Sequence, residues 1–333
     1  MNTNRALTFD DVALVPKYNN VESRTEPNLE AWLTKKIKIG IPILAANMDT
    51  VIGDKLAEIL LIYGSAPIFH RFCSPFQKIS WAKTYPQSFI SYGLGQEDLE
   101  IIHELYPINS NICFDIAHGH CKKMLEVVSE TKRLYPHSQI IAGNICTPQA
   151  VHDLYKAGAD AVKVGIGPGA ACTTRSVTGF GVPQFTAIKE CARIGRELRI
   201  PIIADGGIRN SRDIVLALAA GASTVMIGKL FALTTESAAD KDEGGCCAKY
   251  RGQASEDFQN DYFGGVKTGT VPEGESFWAP VSGSAKDLIA QLCGGVRSGF
   301  TYGGARNISE LQRKAEFIEV TQSYHTEMGV RDD

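Results

Sequence analysis

The sequence predicts a single-domain protein of the α/β class, and two observations support this. Short apolar runs recur eight times along the 333 residues, mostly at intervals of about twenty residues or slightly more. Segments with helical periodicity lie between these runs. Repeated strand–helix units predict a (β/α)8 barrel, the TIM-barrel architecture, over residues 1–333.

The predicted strands are short, rich in Ile and Val, and not alternating. This pattern is typical of parallel strands that are buried on both faces. The strands are residues 43–46, 66–69, 88–92, 112–116, 139–142, 161–164, 201–204 and 223–227.

Helical periodicity is clearest in residues 54–63, 148–157 and 211–219, where apolar side chains fall on one side. The second and third segments are followed by Gly158 and Gly221, and glycine is the usual residue at a helix C-terminus. Strand–helix–strand crossovers require parallel strands, so antiparallel folds fit the pattern poorly.

Composition excludes several classes of protein. Hydrophobic residues make up 44% of the chain, and the net charge is −3, so no basic excess is present to neutralise a nucleic-acid backbone. No apolar run reaches the roughly 18 residues of a membrane helix, and the N-terminus lacks the apolar region of a secretory signal. The nine cysteines show no paired CxxC spacing. We expect reduced thiols, a cytoplasmic location, and neither nucleic acid nor membrane as a partner.

Two intervals are longer than the barrel requires. The Cys loop, residues 165–183, follows the sixth predicted strand, and the flap region, residues 240–284, follows the eighth. Both therefore lie at the carboxyl end of the barrel, where active sites of this fold are found. Residues 74–87, after the second strand, are too few to form a second domain, and residues 307–321 are predicted as a helical tail.

The Cys loop begins with GIGPGAACTTR. Its glycines and Pro168 bend the backbone, which can then direct carbonyls at a cation or amides at an anion. Cys172 precedes two hydroxyl residues, Thr173 and Thr174. It is either a nucleophile or a buried cysteine in a tight turn, and the residues alone leave both interpretations open.

Glycine-rich segments follow the seventh and eighth strands, where barrels often bind phosphate. Gly206, Gly207 and Gly228 allow backbone N–H groups to face a phosphate, and Lys229 adds a positive charge. Asp205 could accept hydrogen bonds from a ribose diol. The alternative is ordinary strand-end turns.

Other strand ends carry polar residues, which together predict a pocket for a polar ligand: Asn47, Asp49, His70, Arg71, Asp115, His118 and Asn144. His118 and His120 lack a third convincing ligand, which disfavours a metal site built on them. Glu273 is either a surface charge or a carboxylate of the flap region that serves the site.

The chain resembles the inosine-monophosphate dehydrogenase and guanosine-monophosphate reductase family over nearly its whole length. The motifs that carry the resemblance are AANMDTV, GIGPGxxCTTR, TGFGVPQ, ADGGI, MIG, YRG and GGVRSGFTY. Within the family, AANMDTV and Cys-Thr-Thr-Arg resemble the reductase branch. The segment EDFQNDYFGGVK lacks the Arg-Tyr pair of the dehydrogenase flap, and no regulatory domain is inserted.

This resemblance implies an NADPH-dependent conversion of GMP to IMP and ammonia through a covalent adduct of Cys172 at purine C2. Thr174 and Glu273 would handle the proton of the leaving amine. The carbonyls of Gly167, Gly169 and Cys172 would hold K⁺, with Arg175 nearby. A dehydrogenase without the regulatory domain, which converts IMP to XMP with NAD, and a non-catalytic nucleotide-binding barrel are the alternatives.

The resemblance also implies binding residues and a homotetramer in which Ser23 and Arg24 reach a neighbouring subunit. The substrate residues are Asp205, Gly206, Gly207, Gly228, Lys229, Gly252, Gln253, Ala254 and Gly274. The cofactor residues are Ser23, Arg24, Arg71, Asp115, Ile116, Ala117, Ile166, Gly167, Ser298, Gly299, Phe300 and Thr301.

Three features depart from the family pattern. Ala170 stands where the family usually has a serine that contacts phosphate, which weakens phosphate binding unless Lys229 compensates. The adjacent Cys246 and Cys247 have no family meaning, and residues 255–269 differ from the corresponding segment of the family's reductases.

Overall fold

The N-terminal segment precedes the barrel and contains three short strands. In the computed structural model, which describes residues 5–327, a single 3-10 turn (Phe9–Asp11) leads into β1 (Val12–Leu14). A short antiparallel hairpin follows, made of β2 (Ala31–Trp32) and β3 (Lys38–Ile39). Beside it, Thr34 donates a buried hydrogen bond to Gln139 at 2.7 Å, which ties the hairpin to the start of a barrel strand.

Eight parallel strands form the barrel, and each coincides with a predicted strand. They are β4 (Ile43–Ala45), β5 (Ile68–Phe69), β6 (Phe89–Tyr92), β7 (Asn111–Asp115), β8 (Gln139–Ile145), β9 (Ala161–Val164), β10 (Ile202–Asp205) and β11 (Thr224–Ile227). The order β4-β11-β10-β9-β8-β7-β6-β5 gives a nearly closed parallel sheet. The predicted (β/α)8 barrel is confirmed.

Helices surround the sheet or extend from it. They are α1 (Asp54–Ile62), α2 (Pro75–Thr84), α3 (Gln96–Leu105), α4 (Lys122–Leu134), α5 (Pro148–Ala157), α6 (Thr174–Thr178), α7 (Gln184–Leu198), α8 (Ser211–Ala220), α9 (Lys229–Ala232), α10 (Glu256–Phe263), α11 (Ala285–Tyr302), α12 (Ile308–Lys314) and α13 (Gln322–Glu327). The predicted ends of α5 and α8 are confirmed, because Gly158 (φ +107°) and Gly221 (φ +117°) cap them in the left-handed conformation.

The core lies between the strands and the helices, and also within the barrel. Phe69, Phe89 and Phe114, on three adjacent strands, are fully buried. Within residues 5–327, no helix has the length and apolar character that a membrane crossing needs.

The flap region contains regular structure that the sequence did not predict. Its strands β12 (Cys247–Arg251) and β13 (Ser276–Pro280) pair in an antiparallel hairpin outside the barrel sheet, and α10 lies between them in the chain. The flap region is therefore a folded attachment to the carboxyl end of the barrel.

The prediction of a helical tail over residues 307–321 was wrong in its second half. Helix α12 ends at Lys314, and β14 (Phe317–Glu319) then pairs antiparallel with β1. Phe317 packs edge-on against Phe185, with ring centroids 4.9 Å apart. This contact and the available edge of β1 favour a strand over continued helix.

Candidate active site

Backbone pairing around Cys172 holds the Cys loop to the flap region. Cys172 forms an isolated antiparallel bridge with Gly274. The N–H of Thr173 donates to the carbonyl of Glu273 at 3.0 Å. Two segments that are distant in sequence are thereby aligned residue by residue.

The aligned segments bring together the three predicted catalytic side chains. The thiol of Cys172 donates to Thr174 Oγ1 at 3.3 Å, and the hydroxyl of Thr174 donates to Glu273 Oε2 at 2.8 Å. All three side chains are half-buried. The continuous path from sulfur to carboxylate can carry a proton to or from a molecule bound at Cys172.

A cavity of about 400 Å³ is lined by Gly169 and Ala170 of the Cys loop, which shortly precede Cys172 in the chain. This size suits a small organic ligand. Five of the predicted substrate residues also line it: Asp205, Gly206, Gly207, Gly228 and Lys229. The glycine-rich strand ends and the Cys loop thus share one cavity.

The other predicted substrate residues lie on the flap region next to Cys172 and not in the lining of this cavity. The N–H of Gly252 donates to the Glu275 carbonyl at 3.0 Å, and the carbonyl of Ala254 accepts from Glu273 at 3.0 Å. Gln253 Nε2 donates to the carbonyl of Asn47 at 3.0 Å, which ties the flap region to the end of β4.

Sequence reasoning missed three lining residues, Met48, Arg209 and Tyr250. The hydroxyl of Tyr250 lies 3.8 Å from Met48 Sδ, and the side chain is 3% exposed. Burial raises the pKa of the Tyr250 phenol, which remains neutral and able to donate a hydrogen bond. The motif YRG contains Tyr250, so the sequence marked this position without assigning it to a cavity.

A buried charged cluster inside the barrel was also missed. Lys163, on β9, is 2% exposed, and its ammonium lies 2.7 Å from both Asp115 Oδ1 and Asp205 Oδ2. It also donates to Asn144 Oδ1. Burial alone would lower the pKa of Lys163, but the charges of Asp115 and Asp205 outweigh burial and raise it. A charged residue in the apolar run AVKV was the available sign.

Polar groups without partners lie at the ends of β4 and β5. Within residues 5–327, Asp49 Oδ1, His70 Nδ1 and Arg71 Nε are buried and have no hydrogen-bond partner. Burial lowers the pKa of His70 to about 4. The other carboxylate oxygen of Asp49 pairs with Arg251 of the flap region at 2.7 Å. These groups are available to form hydrogen bonds with a polar ligand.

A second group of the predicted cofactor residues lies at a different place. Ser298 and Gly299 are on α11, which packs against α8 outside the barrel, and they line a second cavity of about 460 Å³. The two cavities have no lining residue in common among the described residues. Phe300 is fully buried in the core, so only its backbone can face a ligand.

Ser23 and Arg24 are exposed and lie near the end of α11. The chain before them is fixed by the Lys17 N–H, which donates to the Tyr302 carbonyl at 2.9 Å. The chain after them is fixed by the Asn28 N–H, which donates to the Arg306 carbonyl at 2.8 Å. Within one subunit, Ser23 and Arg24 therefore lie near Ser298–Thr301 and not near Cys172.

The predicted cation ligands are carbonyl groups of the Cys loop. The Gly169 carbonyl accepts from the Cys172 N–H at 3.1 Å. Within the described residues, the carbonyls of Gly167 and Cys172 accept no hydrogen bond. Arg175 Nη2 donates to the Val182 carbonyl at 2.7 Å and so shapes the loop. Backbone oxygens of this kind fit a hard monovalent cation.

The departures from the family pattern also have a structural position. Ala170 lines the first cavity, and exposed Lys229 lies with its Nζ 5.2 Å from the Phe277 ring centroid. No group of three or more His, Cys, Asp or Glu side chains in residues 5–327 could hold a metal ion. His120, which the sequence analysis considered as a metal ligand, pairs with Asp153 at 3.0 Å. All nine cysteines are free, and the structure gives Cys246 and Cys247 no role.

Comparisons with known proteins agree with this geometry. A family model described as IMP dehydrogenase / GMP reductase domain matches residues 6–331. GMP reductase 1 of Mus musculus is 38% identical over 336 residues, which cover 97% of each chain. IMP dehydrogenase of Aquifex aeolicus is 47% identical over 249 residues, 72% of this chain and 51% of its own.

IMP dehydrogenase of Borreliella burgdorferi is 36% identical over 388 residues, 96% of this chain and 95% of its own. Relatives that are named GMP reductase and relatives that are named IMP dehydrogenase therefore both match nearly the whole of this chain. The chain belongs to the IMP dehydrogenase / GMP reductase family of oxidoreductases.

Proposed function

We propose that this chain is a GMP reductase, which converts GMP to IMP and ammonia with NADPH as the hydride donor. The observation that carries the proposal is the path from Cys172 through Thr174 to Glu273, with distances of 3.3 and 2.8 Å. The same loop lines a cavity through Gly169 and Ala170, and the other lining residues suit a nucleotide.

The path supplies what the deamination needs. The Cys172 thiol gives its proton through Thr174 to Glu273, and the thiolate adds to C2 of the guanine ring. The C2–N bond then breaks, and the same proton returns to the leaving amine, which departs as ammonia. An amine leaves readily only when protonated, so a reversible proton path is the central requirement.

Bound NADPH would supply the hydride that C2 requires. Cys172 then leaves C2 as the C–S bond breaks, which releases IMP, and the thiolate takes up one proton from solvent to regenerate the thiol. The overall change consumes GMP, NADPH and one proton and gives IMP, NADP⁺ and ammonia. Cys172 serves both half-reactions, first as nucleophile and then as leaving group.

The cavity binds the mononucleotide in this proposal. Asp205 accepts from the ribose hydroxyls, and the strand-end glycines with Lys229 bind the phosphate. The ammonium of Lys229 takes the place of the phosphate contact that a serine at position 170 would make. The base lies against Cys172 and the flap residues 252–254 and 274, since Cys172 and Gly274 are neighbours.

Residues from two subunits bind the cofactor. Arg71 and Asp115 belong to the subunit whose Cys172 reacts, and the partnerless Arg71 Nε fits a phosphate or hydroxyl of the dinucleotide. Arg24 and Ser298–Thr301 extend from a neighbour, since one chain keeps them apart from its own Cys172. This arrangement requires an oligomer, which we propose is a homotetramer.

The carbonyls of Gly167, Gly169 and Cys172 would hold K⁺, whose role is to fix the curvature of the Cys loop. Free cysteines throughout the described chain fit a reducing compartment, and we place the enzyme in the cytoplasm.

A second candidate function is IMP oxidation with NAD, since the Aquifex relative that is named a dehydrogenase reaches 47% identity. A nucleotide-binding barrel without activity is the third. Loss of NADPH absorbance on addition of GMP supports the reductase. Turnover of IMP with NAD alone would select the dehydrogenase, and nucleotide binding without either turnover would select the silent barrel.

A further inference from the structure

We infer that Lys163 is a positioning residue that joins the mononucleotide half of the site to the cofactor half by holding Asp205 and Asp115 together. The inference rests on the proposed function, which assigns Asp205 to the nucleotide and Asp115 to the cofactor. Lys163 itself contacts neither ligand.

Four neighbouring strands each contribute one side chain to this cluster. Asp115 ends β7, Asn144 lies in β8, Lys163 lies in β9, and Asp205 ends β10. The β8–β9 register shifts at residues 143–145. Asn144 Nδ2, which sits at this shift, donates to Asp205 Oδ2 at 2.9 Å.

The backbone leaves space for the lysine. A Cβ added to Gly143 would lie 2.6 Å from Lys163 Cβ and 2.7 Å from the Lys163 carbonyl oxygen. Both atoms are too close for any larger residue. Glycine at position 143 is therefore matched to the lysine on the next strand.

The hydrogen-bond capacity of Lys163 is fully used. An ammonium has three N–H donors, and here they serve Asp115, Asp205 and Asn144. No donor remains for a ligand, which makes Lys163 a positioning residue. Each carboxylate uses one oxygen in the cluster, and within residues 5–327 the other oxygen accepts no hydrogen bond and is available to a ligand.

The charge of Lys163 is as important as its geometry. The side chains of Asp115 and Asp205 are 13% and 16% exposed, so their mutual repulsion is weakly screened. Cys113 and Tyr250 also face the cluster, and burial raises the pKa of each, so both stay neutral. Lys163 is then the cation that offsets the repulsion between the two carboxylates.

Binding measurements test this role with the full-length protein, using IMP and NADPH as separate titrants. We expect Lys163→Met to weaken the binding of both by at least about tenfold, because the two carboxylates then repel each other with no cation between them and lose their fixed orientation. Lys163→Arg keeps the charge and should recover most of the affinity for each.

Lys132→Met is the matched control. Lys132 pairs with buried Asp160 at 2.7 Å, just before β9 at the opposite end of the barrel. This variant should lose thermal stability and keep both affinities. If Lys163→Met and Lys132→Met lower stability alike and leave both affinities unchanged, the inference is overturned.

Two charge-balanced double variants keep the test decisive where Lys163→Met does not fold. Lys163→Met with Asp115→Asn should retain IMP binding and lose NADPH binding. Lys163→Met with Asp205→Asn should do the reverse. Loss of both affinities in each double variant would contradict the inference. Wild-type protein that binds neither IMP nor GMP would overturn the proposed function and this inference with it.

Discussion

Cys172 acquires its partners from two segments that the fold brings side by side. Cys172, Asp205 and the strand-end glycines could be predicted because they lie in glycine-rich segments at strand ends. The role of Lys163 could not be predicted. A single lysine in an otherwise apolar strand has no visible partner in the sequence, and its three acceptors lie on three other strands of the barrel. Sequence motifs reveal functional residues that lie beside backbone turns. A cluster of side chains from several barrel strands becomes visible only when the order of those strands is known.

Thr174 is predicted to be the link in the proton path. We expect Thr174→Ala to lower kcat by about a hundredfold or more, with a small change in the KM for GMP, because the amine loses its proton source. Ser176→Ala is the control, since that exposed hydroxyl only donates to the Thr173 carbonyl. Steady-state rates that are equal in the two variants would remove Thr174 from the path.

His70 gives a pH dependence of stability. Its pKa falls from 6.5 in the unfolded chain to about 4 in the folded protein. The unfolded state therefore binds more protons between these values, so stability is fully present above pH 6.5 and is lost as the pH falls towards 4.

We expect His70 to contribute about 3 kcal/mol of this loss in the free energy of unfolding. Asp49, Lys78 and Trp81 face His70 and remain in the variant His70→Phe. Denaturant unfolding of both proteins over this pH range measures the difference. An identical pH dependence in the two proteins would show that His70 does not titrate in this way.

Aromatic packing holds the helix of the flap region to the barrel. Phe258 of α10 is 1% exposed and meets Phe72, which follows β5, with ring centroids 4.6 Å apart. Arg251 adds an ion pair to Asp49 at 2.7 Å. The flap region is thus fixed to the barrel from two sides, and this position sets where Glu273 meets Thr174.

Phe258→Ala is expected to release α10 while the barrel remains folded. The lost packing is worth about 3–5 kcal/mol, and catalytic efficiency should fall with it because Glu273 moves. Phe263→Ala is the control, since Phe263 is 63% exposed. Limited proteolysis should cut the first variant faster within residues 255–269, and equal protection of both would contradict this role of Phe258.

Elements differ in how far the sequence specifies them. The barrel strands were predictable because each is a continuous apolar run buried on both faces. Strand β14 was not, because the helical pattern that precedes it continues and only the free edge of β1 selects a strand. The β12–β13 hairpin was hidden for a related reason, since its strands are half-exposed and mixed in composition.

The whole molecule separates the two groups of candidate cofactor residues. Arg71 and Asp115 are at the carboxyl end of the barrel, whereas Arg24 and Ser298 are beside the outer helix α11. The family resemblance assigned only Ser23 and Arg24 to a neighbouring subunit. That Ser298–Thr301 lie with them could not be predicted, because it is a property of the assembled fold. In the proposed function, a complete site therefore needs two copies of the chain.

Mixing two inactive variants tests this requirement. We expect Cys172→Ala and Arg24→Ala to have little activity alone and to recover part of it after subunit exchange, because some sites then combine an intact Cys172 with a neighbour's intact Arg24. A mixture of Cys172→Ala with Thr174→Ala is the control and should stay inactive. Absence of recovery in the first mixture, after exchange is verified by native mass spectrometry, would place the cofactor within one subunit.

The covalent role of Cys172 is tested most directly by intact-protein and peptide mass spectrometry of enzyme quenched with acid during turnover of GMP. The account predicts a purine nucleotide, GMP less ammonia, attached to the peptide that contains Cys172, and no such adduct in Cys172→Ala. Active protein that never carries this mass, or a Cys172→Ala variant that still releases ammonia, would contradict it.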